Sequence, residues 1–436
     1  MRNTNKKGFT IVELVVVVAV IAILAAVLIP TFSGIIAKAN RSADQSAIAT
    51  MNKYLAMEEA DGKNANLPEA LADLMAHDVD AKDYKALAKG MNIVWAKSLN
   101  RVLYINSETK KVEYPEQYVN EQYNVGCGWY ALYGEIAEDD SWVENASAGA
   151  VSVSSGAELV SLMNAYTDGT NDNHDAAKAI TKITLTEDID LMGAEASFGQ
   201  ITNDFEISGP ADGVAIYGLR SGANAWALNN KQFGYGFIGM VGEQNADTNY
   251  TVTIKNITFD GAVVDSSHED DAGHAGVVVG KVCVGAYIKA ADAAVAGGDI
   301  LVLENVTVQN CYVNSEKKAG ALVGYVQGDA KAGVSIDDAV VKLYGKITVK
   351  NNVITAAREA AAAIAYVQGS LVVDSGATID VSGNSVSKSN SDFVLKYTYG
   401  ADGSVKEGSK ARLGFTDNAY WHGETSATSS KAKDFN

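Results

Sequence analysis

The sequence predicts an α+β N-terminal part followed by an all-β right-handed parallel β-helix. The first part pairs a long, partly transmembrane helix with a small antiparallel sheet. Three observations carry this prediction. An apolar run, Leu14 to Ile29, leads into a segment with helical period. Two strand motifs recur, interleaved, through the C-terminal half. With 40 glycines and only 4 prolines in 436 residues, the composition suits a glycine-punctuated β architecture rather than a proline-rich stalk. The expected division is a short segment at 1–8, a helix at 9–60 with its transmembrane portion at 9–36, a small α/β region and connector at 61–148, and the β-helix at 149–436.

The chain opens Lys6-Lys7-Gly8-Phe9-Thr10-Ile11-Val12-Glu13 before the apolar run, which ends at Pro30. The run alone is short of the ~20 residues a spanning helix needs, and its flanks from Phe9 and to Ile36 supply the rest. Arg2, Lys6 and Lys7 leave the first residues on the cytoplasmic side and send the remainder outward. An ordinary secretory signal places its small residues after the apolar run, whereas Gly8 precedes it, so cleavage there keeps the helix on the mature chain. A carboxylate near the bilayer core costs roughly 2.5–3.5 kcal/mol on the gentlest scale, so Glu13 calls for a partner.

These residues resemble the leader of type IV pilins and pseudopilins. The resemblance covers about the first tenth of the chain. It implies cleavage between Gly8 and Phe9 by a prepilin peptidase that also methylates the new terminus. It implies too that Glu13 meets the amino group of a neighbouring subunit's Phe9. The partners implied are membrane lipid before assembly, sister pilin subunits and the pilus assembly machinery. The first half of the helix would pack in a filament core, and the second half against a globular domain.

Beyond the apolar run, Ala43, Ala47, Met51 and Leu55 keep a helical step with Ile48 beside them, while Asp44 and Asn52 fall off that face. One helix is expected from about Phe9 to about Glu59, kinked or loosened at Pro30. Asp61-Gly62-Lys63-Asn64 breaks it, and Leu67-Pro68-Glu69 opens a second helix with proline in its first turn. Strands follow at Asn92–Trp95, Arg101–Ile105 and Lys111–Tyr114, forming the small sheet. The aromatic, acidic stretch Tyr118–Trp142 reads as a connector.

Ser155 three residues before Glu158 predicts a capped helix carrying Leu159, Leu162 and Met163. Strands then take over at Ile183. Val252–Phe259 recurs as Leu301–Val308 and, more weakly, as Ile347–Ile354, which aligns Asn256, Asn305 and Asn351. Interleaved with these are Gly276-Val277-Val278-Val279-Gly280 and Gly320-Ala321-Leu322-Val323-Gly324, with degraded relatives at 235–241 and 361–367. Two series at one spacing argue for stacked coils. A repeated Asn tolerates left-handed geometry and bonds along a stack. This order resembles β-helix modules with Gly-Leu-rich repeats in bacterial surface proteins, and the acidic strand Asp188–Leu191 matches their opening motif.

With 35 Lys and Arg against 53 Asp and Glu, the net charge is −18 and no basic stripe stands out, which disfavours a nucleic-acid role. Cys127, Cys283 and Cys311 show no metal-ligand spacing. A Cys283–Cys311 bridge is one reading, and buried thiols acting as small apolar residues the other. His268, Glu269, Asp270, Asp271 and His274 form the most metal-like cluster, in a position that reads as a solvated loop. Asp188, Asp190, Asp260, Asp265 and Asp337-Asp338 supply acids, but Arg220, Arg358 and Arg412 stand next to no repeated acid. Glycan cleavage needs paired carboxylates with a basic partner, so no catalytic residue is named and no cofactor is expected. Aromatic stretches at 229–242, Tyr397–Tyr399 and Tyr420-Trp421 are either core or ligand-facing. The expected function is a minor or tip pilin that displays a β-helical head to a surface glycan or protein. The alternatives are a secretion-system pseudopilin and a membrane-tethered β-helix enzyme acting on polysaccharide.

Overall fold

A computed structural model describes residues 11–62, 66–79, 81–222, 234–243, 249–266, 273–283, 300–327, 340–367, 370–374 and 376–388. Helix α1 spans Ile11–Ala60 and runs unbroken through position 30. Helix α2, Leu67–Ala76, starts where predicted: the Asn66 side chain accepts from the Glu69 N–H, and Pro68 lies in the first turn, where its missing N–H costs nothing.

The small sheet has four antiparallel strands: β1 (Met91–Ala96), β2 (Arg101–Asn106), β3 (Val112–Tyr114) and β4 (Trp129–Tyr133), in the order β3-β2-β1-β4. The fourth strand corrects the connector expected at Tyr118–Trp142. Its residues alternate between two cores: Tyr130 and Leu132 join the α1 and α2 side, and Trp129 and Ala131 the opposite side. Such two-sided burial hides a strand's polar alternation from a period-two reading.

Among the described residues from Ala150 onward, the strands pair in parallel, in four sheets. The first begins at Ala150–Val153 and includes Thr251–Asp260, Ile300–Gln309 and Val340–Tyr344. The second holds Arg220–Gly222, Val263–Ser266, Tyr312–Ser315, Val353–Ala356 and Ser385–Lys388. The third holds Gly234–Tyr235, His274–Gly276, Lys318–Gly320 and Glu359–Ala361. The fourth runs from Gln200–Ile201 through Ile238–Val241, Val279–Val282 and Val323–Val326 to Ile364–Val367. The chain visits them repeatedly in the order first, second, third, fourth. Equivalent residues therefore stack: Val279 pairs with Val323, and Val323 with Ile364.

Register corrects one alignment made from sequence. Asn256 does stack with Asn305, both at positive φ (57° and 52°), but the next residue in that column is Gly345 (φ 61°). Asn351 belongs to a second column, with Gly218, Gly261, Asn310 and Gly383, all left-handed. Both columns turn the chain at corners, where only Gly and Asn adopt αL cheaply. Along the first, Asn305 Nδ2 donates to Asn256 Oδ1 at 3.0 Å, and Lys346 N–H donates to Asn305 Oδ1 at 2.9 Å. Where the third glycine-framed copy loses its glycines, Ala361 pairs with Gly320.

One continuous apolar core fills the stack. Phe198, Phe237 and Phe259 meet edge-to-face in file, with centroids 5.4 and 5.1 Å apart. Helix α3 (Gly156–Thr167) closes its N-terminal end, burying Leu159, Leu162, Met163 and Tyr166. The predicted capping box is present: Ser155 accepts from the Glu158 N–H, and Glu158 reaches back to the Ser155 N–H. The cysteines are free. Cys283 follows the fourth sheet, while Cys311 sits at a first-to-second-sheet corner, stacked in line with Asn352 and Asn384. Its Sγ lies 3.3 Å from the Ala262 N–H, and its own N–H donates to Asn352 Oδ1 at 2.8 Å.

Segments between sheets differ in length. From the fourth sheet back to the first, 9 residues separate Val241 from Thr251, 17 separate Val282 from Ile300, 13 separate Val326 from Val340, and 2 separate Val367 from Ser370.

Candidate functional site

Helix α1 changes character along its length. Leu14, Val18, Ile21, Leu28, Phe32 and Ile36 are exposed, whereas Ile48, Met51 and Leu55 are buried against the rest of the chain. Among the described residues, it is the one helix long and apolar enough to cross a membrane. A greasy surface of this size on an unpacked helix requires a lipid or protein cover. Glu13 stands in its first turn, exposed on that surface. Gly8 and Phe9 lie outside the described residues.

The buried stripe of the lower half is Asp44, Ile48, Met51 and Leu55, while Ala43 is exposed. Sequence periodicity had set Asp44 and Asn52 off the packing face. Both are on it, because their polar atoms bond to groups on the packed side. Asp44, 3% exposed, accepts from the N–H groups of Leu87 (2.9 Å) and Ala88 (3.0 Å) and from the Tyr104 hydroxyl (2.6 Å). Burial, together with that bond to Asp44, pushes the Tyr104 phenol well above its ordinary range. Asn52 both donates to the Val102 carbonyl (2.8 Å) and accepts from its N–H (2.7 Å). It thereby satisfies a stretch of β2 that the shorter β3 does not reach. Arg101 and Glu59, 2.9 Å apart, tie the end of the helix to the same strand.

A second set of bonds joins the small sheet to the parallel stack. Three tyrosines from the supposed connector reach three carboxylates. Tyr123 donates to Asp190 (3.0 Å), Tyr130 to Asp260 (3.0 Å) and Tyr133 to Glu195 (3.1 Å). Asp260 also accepts from Gln309 and Asn310, at 2.7 and 2.8 Å. Burial raises the Asp190 carboxyl, against the opposing pull of the Met192 N–H, Tyr123 and Lys110. Arg220 is buried beside them, donating to the Leu132 carbonyl at 2.9 Å with its guanidinium 4.6 Å from the Tyr133 ring centre. On the other side, Val263, Tyr312 and Val353 of the second sheet share a core with α1, α2 and β1. The sequence held the parts of this clasp, but pairing a tyrosine with an acid more than 60 residues away required the fold.

The candidate acids therefore separate. Asp190 and Asp260 bind tyrosines. Asp188 accepts from the Ala215 N–H at 2.8 Å, and Asp265 is buried in the second sheet. Of the metal-like cluster, His268, Glu269, Asp270 and Asp271 lie outside the described residues. His274 is no loop residue: it opens a strand of the third sheet, buried and in register with Lys318. Burial, with the positive charges of nearby lysines and Arg358, holds its imidazole well below its ordinary pKa, an unfavourable setting for a cation. Asp337-Asp338, Arg412, Tyr397–Tyr399, Tyr420-Trp421 and residues 229–233 of the 229–242 stretch also lie outside the described residues, which include its strands Gly234–Tyr235 and Ile238–Val241.

Residues 3–29 match the family model of the prokaryotic N-terminal methylation motif. The match marks this segment as type IV pilin- or pseudopilin-like. It implies processing by a prepilin peptidase and assembly with other pilins, and it agrees with membrane anchoring that precedes incorporation into a pilus. Searches of curated proteins and of solved structures return no match to the chain.

Proposed function

We propose that this chain is a structural subunit of a type IV pilus-like filament, a minor or tip pilin whose β-helical head contacts a surface. One observation carries the reading: the methylation motif leads directly into a helix that is apolar and exposed above and locked to a folded head below. Cleavage falls between Gly8 and Phe9. The helix holds the protein in the cytoplasmic membrane, N-terminus inside, until assembly. Glu13 then pairs with the Phe9 amino group of a neighbouring subunit, since a carboxylate in an apolar bundle needs a cationic partner.

The parallel strands, with stacked left-handed corners and a capped end, support reading residues 149–436 as a right-handed β-helix. So large a head crowds a filament shaft, which favours a minor or tip position over a major one and over the small-headed pseudopilins. A non-enzymatic role is favoured because two of the candidate acids, Asp190 and Asp260, are spent on tyrosines.

Intact mass and N-terminal sequencing of protein sheared from cells tests the reading. Chains beginning at N-methylated Phe9 are expected in the sheared fraction. A Glu13→Ala variant is expected to be processed but missing from it. Chains retaining Met1, or confined to the membrane, would overturn the assignment.

A further inference from the structure

Residues 85–89, which lead into β1, are pinned to α1 just beyond the end of its apolar stretch. Both backbone polar groups of Leu87 are held there. Its N–H donates to Asp44 Oδ1 at 2.9 Å, and its carbonyl accepts from Asn40 Nδ2 at 3.1 Å. The Ala88 N–H donates to the other Asp44 oxygen at 3.0 Å. With its backbone so fixed, Leu87 is 60% exposed. A lone exposed leucine is ordinary on a protein surface, and its height along α1 is what sets this one apart.

Ile36, Asn40 and Asp44 are one turn apart on a single face of α1. Ile35 and Ile36 end the exposed apolar stretch, so the hydrocarbon boundary of a membrane that covers it lies at their level. At 1.5 Å per residue, Asn40 is ~6 Å beyond that boundary, a distance the headgroup layer of ~5–7 Å spans. Residues 11–36 measure ~39 Å against a hydrocarbon core of ~30 Å, an excess that helix tilt takes up. Tilt lowers one side of the head toward the surface.

The chain is basic at this level, although its net charge is −18. Residues 36–41 and 85–89 hold Lys38, Arg41, Lys85 and Lys89 and no acid. Glu113 meets Arg41 and Glu135 meets Lys85, each at 2.9 Å. Lys38 and Lys89 are exposed, and such side chains lay their stems along apolar surface and carry their ammonium groups to lipid phosphates.

We propose that, before assembly, this corner of the head rests on the outer surface of the membrane that α1 crosses. Leu87 enters the headgroup layer, and Lys38 and Lys89 meet lipid phosphates. Anionic lipid repels the acidic remainder of the chain, which confines the contact to this corner and holds the head at one height and one orientation. The inference rests on the membrane reading of α1 and adds to it a second contact, made by the head.

The test places one nitroxide at a time on the full-length chain in nanodiscs of phosphatidylethanolamine and phosphatidylglycerol. The labelled variants are Leu87→Cys, Val18→Cys and Thr50→Cys, each with Cys127→Ser to remove the exposed thiol. Relative accessibility to oxygen and to a water-soluble nickel chelate reads the depth of each label. Val18 is expected at hydrocarbon depth, and Thr50, ~15 Å beyond Asn40 along α1, in water. Leu87 is expected in the headgroup layer. A Leu87 label as open to the chelate as Thr50 would overturn the proposal and leave the spanning helix standing, whereas a Val18 label in water would overturn both. Shielding of Leu87 that appears only with several chains per nanodisc would assign the surface to a second copy and also overturn it. An unaltered chain gives the second measurement. Phosphatidylethanolamine with a photoreactive headgroup is expected to crosslink to residues 85–90 and not to Ile300–Gln309. Equal crosslinking of the two segments, or none at residues 85–90, would refute the docking.

Discussion

Asp44→Ala isolates the contribution of a carboxylate inside the packing face of α1. It removes the acceptor for two backbone N–H groups and one phenol. Leu87 is an exposed residue, so its N–H regains water, while the Ala88 N–H and the Tyr104 hydroxyl stay buried. An unsatisfied buried donor costs about 1–3 kcal/mol, so the two together cost about 2–6 kcal/mol. Asp44→Asn keeps one acceptor oxygen and is expected to lose roughly half as much. Urea unfolding of the full-length chain in micelles gives the total, and amide hydrogen exchange locates it. Faster exchange is expected at Val102–Ile105, in the strand that Asp44 and Asn52 hold, with Ile300–Gln309 unchanged. A loss below about 1 kcal/mol, or equal deprotection of the parallel stack, would refute the reasoning.

Two further outcomes follow from the corners and from a buried cation. Asn305→Ala is expected to cost about 1–2 kcal/mol more than Asn305→Gly in thermal unfolding, because Gly345 fills the same column position and only Gly and Asn take that φ cheaply. Lys178 lies 3.6 Å from the Tyr166 ring centre, and burial lowers its pKa from 10.5 to about 8. Above pH 8 the folded state sheds this proton while the unfolded chain keeps it up to 10.5. Stability from this group therefore rises with pH across that window and is flat below it. Lys178→Met should flatten the rise in a melting-temperature series over pH 7–10.5, and an unchanged slope would remove Lys178 as its source.

Much of the fold was legible because its signals are local. The apolar run, the Pro68 helix start, the Ser155–Glu158 cap and the paired glycines each dictate their own geometry. The Asn256–Asn305 column was legible too, since both copies repeat over eight residues. Its third member was not. Asn351 imitates the motif one corner later, and a glycine at 345 carries the same left-handed turn with no side chain to match. Polar residues that pack defeated the pattern for a related reason: Asp44 and Asn52 break an apolar stripe yet belong to it, since their partners, backbone groups and the Tyr104 hydroxyl, lie more than 40 residues away.

The uneven segments between the fourth and first sheets separate what this architecture holds constant from what it lets vary. Strand register is kept turn after turn, while the chain between strands shrinks from 17 residues to 13 to 2. Loop closure grows only slowly in cost with length, about 0.6 kcal/mol per doubling, so such changes weigh little on the stack. A lineage carrying this chain can thus rewrite the length and composition of these segments while the pairing of the strands on either side is inherited unaltered.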